Sequence, residues 1–168
     1  MKGAAVNTSP LIFLARLGRL EALSLFRPLL TTDEVIREVK AGAAKGFPDW
    51  VPISRAVDDG LLAVKRADLR PIEGFNLDPG ELSVLRLASK QRLPTVVVDD
   101  LAAIRAARHL GLSPQSTPFV LLENLATGRL SEAQFRADLR SLLAEGYHLS
   151  APLYAFLLEA VDRLGPKP

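Results

Sequence analysis

The sequence predicts an α/β fold in which helices flank a mostly parallel central sheet. Short apolar runs alternate with amphipathic stretches, which is the pattern of successive βα units. Several amphipathic stretches begin with good helix-capping residues. The chain has 168 residues, close to the usual length of one domain. We therefore expect a single domain over residues 1–168, with a C-terminal helical extension at about 131–164.

Three strands are predicted in the first part of the chain, at residues 3–6, 29–31 and 61–64, because these runs are short and apolar. Ser9-Pro10 offers an N-cap followed by proline at the first helical position. Thr31 to Glu34 has the spacing of a capping box. The expected helices cover residues 10–16, 19–26, 32–41 and 52–59, with a loop at 42–50.

The second part of the chain begins, after a loop at 65–77, with a strong helix start. Asp78-Pro79-Gly80-Glu81 combines an N-cap, proline at N1 and glutamate at N3. This helix is expected to run to about Lys90. The elements predicted after it are strands at 95–98 and 112–115, and helices at 101–110, from Thr117 onward, at 131–145 and at 150–164.

Composition excludes several classes of function. The 21 lysines and arginines nearly balance the 19 acidic residues, so no strong overall field draws the protein to nucleic acid. The absence of cysteine excludes disulfides, thiolate catalysis and cysteine-ligated metal sites. The N-terminus lacks a signal-peptide pattern, and no apolar run approaches the ~20 residues of a membrane span. We expect a soluble, cytoplasmic protein without a membrane partner.

Polar side chains follow the predicted strands at three points, where a strand passes into a helix. Ligands of open α/β sheets bind beyond the carboxyl ends of the strands, so these junctions are the first candidates for a functional site. The junction residues are Asn7-Thr8-Ser9, Asp99-Asp100 and Ser116-Thr117. Taken alone, Ser9 and Thr117 are better explained as helix caps.

Glu81 lies on the apolar side of its predicted helix. At about 100° per residue, Val84, Leu85 and Ala88 lie within about 60° of it, so its carboxylate points along the core-facing stripe. Two explanations remain open. Glu81 either folds back onto the backbone N–H of Asp78 as half of a capping box, or reaches a cleft at the sheet edge and binds a cation.

Glu38 lies at the flank of the apolar stripe of the helix at 32–41, where it is either a solvated residue or a ligand. A doubly wound sheet would bring Glu38 and Glu81 towards Asp99 or Asp100. Hard divalent cations such as Mg²⁺ take oxygen ligands, usually one or two carboxylates together with water and substrate phosphate. The acidic residues therefore indicate a magnesium-type site.

Two arginines lie beside this acidic set. Arg105 and Arg108 share one side of the helix at 101–110 with Leu101, opposite the small and apolar residues. Guanidinium groups beside a metal site suit a polyanionic substrate. The alternative is an exposed helix face whose charges serve solubility.

The sequence lacks the residues of several well-known catalytic and nucleotide-binding sites. The sequence has neither of the two glycine-rich loops that cradle nucleotide phosphates, and its two histidines do not have the spacing of a zinc protease. The first strand ends in Asn7 rather than in an aspartate. This disfavours phosphoaspartyl transfer, which needs a nucleophilic carboxylate at that place.

Four motifs, in this order, resemble those of PIN-domain proteins. They are VNTSPLI at 6–12, EVIREV at 34–39, LDPGE at 77–81, and VVDD at 97–100 followed by Arg105. More narrowly, the sequence is similar to PIN-like proteins that open with N-[TS]-S-P-L-I and carry L-D-x-G-E and a double aspartate. The resemblance covers about residues 4–160 and implies a PIN-like three-layer fold with a mostly parallel sheet.

PIN domains are Mg²⁺- or Mn²⁺-dependent ribonucleases, and many are the toxins of VapC-type toxin–antitoxin pairs. The resemblance thus implies an endoribonuclease with RNA as its substrate, a small antitoxin as a partner and a homodimeric state. Arg105 and Arg108 would hold phosphates that flank the cleaved bond. Ser9 and Thr117 match small hydroxyl positions that support the site.

The acidic positions of the family carry over one by one onto this sequence. They are held here by Asn7, Glu38, Glu81 and Asp99 or Asp100, with Asp100 the preferred counterpart. All five would be metal ligands, and the four carboxylates would be catalytic. Asn7 is the departure, because most PIN nucleases have aspartate there. An amide still offers a carbonyl oxygen to Mg²⁺ but removes one negative charge. The alternative function is a catalytically weak PIN-like module that binds RNA or a partner protein.

Overall fold

A sheet of five parallel strands lies at the centre of the computed structural model, which describes residues 2–164. The strand order is β3-β2-β1-β4-β5, and every neighbouring pair is parallel. The strands are β1 (Ala4–Val6), β2 (Leu29–Thr32), β3 (Ala63–Lys65), β4 (Thr95–Val97) and β5 (Ser113–Gln115). All the predicted strands are present, with ends displaced by one or two residues. The α/β fold with a parallel sheet flanked by helices is confirmed.

The strand order brings two of the polar junctions together. β1 is paired with β2 on one side and with β4 on the other, so the order reverses beside it. Val6 is in register with Val97, and the backbone N–H of Asn7 donates to the Val97 carbonyl at 3.0 Å. The residues that follow β1 and β4 therefore leave the sheet side by side, at the edge where such folds bind ligands.

Helices connect the strands and continue beyond them. A 3₁₀ helix (Leu20–Leu25) occupies the place of the helix predicted at 19–26. The α-helices within residues 2–164 are α1 (Thr8–Arg16), α2 (Asp33–Ala44), α3 (Trp50–Asp58), α4 (Pro79–Gln91), α5 (Leu101–His109), α6 (Thr117–Ala126), α7 (Glu132–Ala144) and α8 (Ala151–Leu164). None of these helices has the length and apolar composition needed to cross a bilayer.

The predicted start of α1 is wrong. Ser9 is not its N-cap, because the helix begins at Thr8 and Asn7 occupies the capping position. The Asn7 side chain accepts no backbone N–H from the first turn, although asparagine is a preferred capping residue. The Ser9 hydroxyl instead donates to Asp99 Oδ2 at 3.2 Å. The polar residues after β1 therefore serve contacts outside their own helix.

The capping box predicted for α2 is also wrong. Thr32, not Thr31, is the N-cap, and its hydroxyl accepts the N–H of Val35 at 3.2 Å. β2 is one residue longer than predicted, so the cap moves by one residue and Glu34 loses the N3 position. α2 ends at Ala44 rather than at 41, and α3 begins at Trp50, which shortens the predicted loop at both ends.

The predicted start of α4 is confirmed in detail. The side chain of Asp78 accepts the N–H of Glu81 at 2.7 Å, and Glu81 Oε2 accepts the N–H of Asp78 at 3.0 Å. Pro79 occupies N1, where its missing N–H leaves no donor unsatisfied. α4 packs against β1, β2 and β4, and therefore fixes Glu81 beside the centre of the sheet.

The chain divides into two compact units, Met1–Thr117 and Pro118–Pro168. The first contains the sheet, and its core includes the fully buried residues of β1 and β4. In the second, Phe135, Leu139 and Leu157 are fully buried, and Arg136 bridges α7 and α8 through Asp162 at 2.8 Å. Met1 and residues 165–168 lie outside the described residues. The single domain over residues 1–168 stays a prediction.

Candidate metal and nucleic-acid site

Asn7 directly follows β1, and its side chain is buried. The residue is 5% exposed, and Oδ1 has no hydrogen-bond partner within residues 2–164. Leaving a buried acceptor without a partner costs about 1–3 kcal/mol. A ligand that offers positive charge to this oxygen would recover that free energy, which makes Oδ1 the first candidate atom of the site.

Glu38 is not a solvated flank residue, which was one of its two interpretations. Its Oε2 accepts the hydroxyl of Thr8, and its Oε1 accepts the backbone N–H of Gly80 at 3.1 Å. Burial raises the pKa of the Glu38 carboxyl above its usual value, while the Thr8 hydroxyl opposes the increase and the nearby charge of Asp78 adds to it. α2 thus delivers this carboxylate to the start of α1 and the start of α4.

Glu81 adopts the first of the two explanations that the sequence left open, the capping box, and its binding of a cation stays a prediction. It completes the capping box through Oε2, and it is only 8% exposed. Burial raises the pKa of Glu81 to about 7; the Asp78 N–H opposes this shift, and the charges of Asp78, Asp100 and Glu38 add to it. Its other oxygen, Oε1, accepts no hydrogen bond from residues 2–164. Glu81 is therefore a buried acid among other acids, with one oxygen available.

Asp99 is held by the hydroxyl residues around it. Its Oδ1 accepts the N–H of Thr117 at 2.8 Å, and its Oδ2 accepts the hydroxyls of Thr117 at 2.8 Å and Ser9 at 3.2 Å. These bonds connect the residues that follow β1, β4 and β5. The hydroxyls of Ser9 and Thr117 therefore do not act as helix caps, because both donate to the same carboxylate.

Asp100 has a different environment from its neighbour. It is exposed, and its Oδ1 caps α5 by accepting the N–H groups of Ala102 at 2.7 Å and Ala103 at 3.2 Å. Its Oδ2 accepts no hydrogen bond from the described residues. Asp100 also acts on Glu81 through its charge, so the two carboxylates lie near each other. Of the two aspartates, Asp100 has the oxygen that is available to a ligand.

Three acidic residues of the site lack cationic partners among the described residues. Glu38, Glu81 and Asp100 form no ion pair with a lysine or arginine of residues 2–164. Over the same residues, no three His, Cys, Asp or Glu side chains converge into a complete metal site. The donors present are carboxylate oxygens and the buried amide oxygen of Asn7, and hard cations such as Mg²⁺ and Mn²⁺ take oxygen ligands of this kind. The residues fit such an ion.

Arg105 and Arg108 are exposed on α5, whose N-terminus is capped by Asp100. Neither forms an ion pair with an acidic side chain of the described residues. Leu101, on the same side of the helix, is 57% exposed. The predicted outward face of α5 is therefore present, and its two guanidinium groups are available to anions.

Sequence reasoning placed Thr8 at a strand-to-helix junction but missed its contact with Glu38, and it missed Gly80 altogether; both residues donate to Glu38. Gly80 belongs to the LDPGE motif, but its role there is visible only from the fold. A Cβ atom at this position would lie 2.5 Å from Glu38 Oε1. The one available signal was glycine in the first turn of a helix, where it is a poor helix former.

Comparisons with known proteins agree with this architecture. Among solved structures, the chain is similar to a PilT N-terminus domain protein from the hyperthermophilic archaeon Sulfolobus solfataricus P2. The two share 20% identity, with a TM-score of 0.53 over 73% of this chain and 92% of the other. No curated protein matches the chain. The profile of a family described as a PIN domain matches residues 4–163. This chain belongs to the PIN-domain family.

Proposed function

We propose that this protein is a metal-dependent endoribonuclease that hydrolyses RNA phosphodiester bonds. PIN domains are in general nucleases that use divalent metals. The observation that carries the proposal is the buried Oδ1 of Asn7, which has no hydrogen-bond partner within residues 2–164 and lies next to Thr8, the residue that contacts Glu38. An oxygen in this position suits a cation, and a cation there would also offset the negative charge around Glu81.

The proposed ligands of Mg²⁺ or Mn²⁺ are Asn7, Glu38, Glu81 and Asp100. Each presents oxygen, and none has a cationic partner within residues 2–164. Asp99 takes a supporting role in this proposal, because its two oxygens accept three hydrogen bonds from Ser9 and Thr117, whereas the two oxygens of Glu38 accept only one each. Those bonds keep the ends of three strands in a fixed relation to one another.

A divalent cation, when bound, polarises the scissile phosphate and lowers the pKa of water beside it. The chain's own residues do the rest. Glu81 Oε1, which accepts no hydrogen bond from the described residues, orients the attacking water. Arg105 and Arg108 hold the flanking phosphates. Both side chains are exposed on α5, and guanidinium groups bind phosphate in a bidentate manner.

We further propose that the enzyme is the cytoplasmic toxin of a toxin–antitoxin pair, inhibited by a small antitoxin, and that it forms a homodimer. The first part is supported by the resemblance of the four sequence motifs to PIN domains, many of which are such toxins. The second is supported by α8, where Phe156 is 46% exposed and Leu164 is 38% exposed. Apolar side chains on one helix provide area that a second copy would bury.

A second candidate function is a PIN-like module that binds RNA or a partner protein without cutting it. Asn7 favours this alternative, because it removes a charge that would attract the cation. The lack of a complete three-residue metal cluster within residues 2–164 favours it as well. Retention of RNA without cleavage would identify this module.

The test is an RNA cleavage assay with metal removal. The purified protein is incubated with a pool of single-stranded and structured RNA in Mn²⁺ or Mg²⁺, with EDTA in a parallel reaction. We expect cleavage with metal, its loss in EDTA, and its return when Mn²⁺ is restored in excess, because the proposed reaction depends on a divalent cation at the site. Absence of cleavage with both metals, from a folded protein that still retains RNA, would favour the binding module instead.

A further inference from the structure

We infer that Thr8 and Gly80 are positioning residues that hold the Glu38 carboxylate at the metal site, an inference that rests on the proposed function. The Thr8 hydroxyl donates to Oε2 and the Gly80 N–H donates to Oε1 at 3.1 Å. Each oxygen therefore accepts one hydrogen bond from a different element. Two such bonds fix the plane of the carboxylate, while each oxygen keeps a lone pair for a ligand.

The start of α4 shows why Glu38 is held there. The first N–H groups of a helix have no acceptor within the helix. At the start of α4, Pro79 has no N–H, the Glu81 N–H is taken by the Asp78 side chain, and the remaining donor, Gly80, is taken by Glu38. The positive end of the helix dipole also favours a negative charge at this point. Glu38 is thus an acceptor supplied to α4 by another helix.

Glycine at position 80 is required by this contact. A Cβ atom there would lie 2.5 Å from Oε1, 2.6 Å from Oε2 and 2.8 Å from Cδ of Glu38, closer than real Cβ contacts. Its backbone angles are not of the left-handed kind that demands glycine. The reason for glycine is therefore the close approach of the carboxylate and not the local conformation.

The two positioning residues are adjacent in sequence to proposed ligands. Thr8 follows Asn7, and Gly80 precedes Glu81. A displacement of Glu38 would therefore act on a site to which the same two short segments supply the ligands Asn7 and Glu81. Hydrogen bonds to ligating carboxylates orient them, and losing such a bond typically weakens metal binding or activity about 10–100-fold.

The test measures Mn²⁺ binding by calorimetry and RNA cleavage in parallel. Thr8→Val removes the donor at nearly constant volume, Thr8→Ser retains it, and Gly80→Ala introduces the interfering Cβ. We expect Thr8→Val and Gly80→Ala each to weaken Mn²⁺ binding about tenfold, with Thr8→Ser close to the wild type. Gly42→Ala is the matched control, because it lies in α2 and its Cβ would meet only Phe47, at 3.9 Å.

A readout without metal tests the hydrogen bonds themselves. The amide resonance of Gly80 should move in Thr8→Val, because both donors share one carboxylate, and the amide of Gly42 should not. Unchanged Mn²⁺ affinity in Thr8→Val and Gly80→Ala would overturn the inference about positioning, but it would not contradict the proposed nuclease function. Mn²⁺ binding without RNA cleavage in the wild type would overturn the nuclease, while the inference would still be decided by the two variants. A wild type that binds no Mn²⁺ overturns both.

Discussion

Replacing Glu81 by glutamine is expected to reduce RNA cleavage at least about a hundredfold while the protein stays folded. The substitution keeps the shape of the side chain, and an amide oxygen can still accept the Asp78 N–H that closes the start of α4. It removes the buried charge that we assign to the cation and to the attacking water. Groups that stabilise developing charge in an active site contribute about 10²–10³ in rate.

The measurement is the initial rate of RNA cleavage in saturating Mn²⁺, compared with wild type and with Glu73→Gln. Glu73 is exposed, so this control makes the same chemical change at the surface. Glu73→Gln should cleave at the wild-type rate. Full activity in Glu81→Gln would show that the nuclease site lies elsewhere.

The unfolding free energy of the metal-free protein should depend on pH through the titration of Glu81. Burial raises the pKa of Glu81 from 4.5 to about 7. The folded state therefore holds this proton more tightly than the unfolded chain does. The stabilisation it provides is complete below about pH 4.5 and is lost as the pH rises through about 7.

Glu81→Gln removes this titration. The unfolding free energy of the wild type relative to the variant should fall between about pH 4.5 and 7.5, by on the order of 2 kcal/mol. Saturating Mn²⁺ should reduce that fall, because an adjacent cation favours the ionised carboxylate. Urea unfolding of both proteins across this range measures the difference. A difference in unfolding free energy that is constant with pH would show that folding does not raise the pKa of Glu81.

Asn7→Asp is expected to strengthen Mn²⁺ binding about thirtyfold. Two unit charges about 4 Å apart interact by about 1 kcal/mol in water, so a divalent cation gains about 2 kcal/mol from one new carboxylate. Because Oδ1 of Asn7 has no partner within residues 2–164, the new charge has no competing hydrogen bond there. Cleavage should rise with the occupancy of the site at low Mn²⁺ concentration.

The same charge should destabilise the protein when metal is absent. A carboxylate at position 7 would be buried next to Thr8, which contacts Glu38, and the pKa of Glu38 is already raised. Calorimetric Mn²⁺ titration measures the gain and urea unfolding in EDTA measures the loss. Asn76→Asp adds the same charge at an exposed position and should change neither. Equal Mn²⁺ affinity in Asn7→Asp and the wild type would remove Asn7 from the ligand set.

Local patterns were sufficient where one short segment contains all the information. The LDPGE motif determines the start of α4 by itself, since proline, the cap and the N3 glutamate all act within four residues. The strands were recognisable for the same reason, because each is a short apolar run. Thr32 shows the limit, since one extra residue in β2 transferred the cap from Thr31.

The contacts that build the candidate site could not be read from the sequence. Thr8 and Glu38 are 30 residues apart, and Glu38 and Gly80 are 42 apart. Asn7 has the residue type and position of an ordinary helix cap, and only the fold shows that its side chain does not cap. Residue types indicated which side chains had chemistry to offer. The tertiary structure decides which of their atoms are already engaged.

The position of a bound cation would show directly whether this sheet edge is a metal site. Crystals of the wild-type protein soaked in Mn²⁺ and measured near the manganese absorption edge would place the ion by its anomalous scattering. We expect a peak bonded to Asn7 Oδ1 and to carboxylate oxygens of Glu38, Glu81 and Asp100. Strong Mn²⁺ peaks elsewhere, with none at this sheet edge, would contradict it.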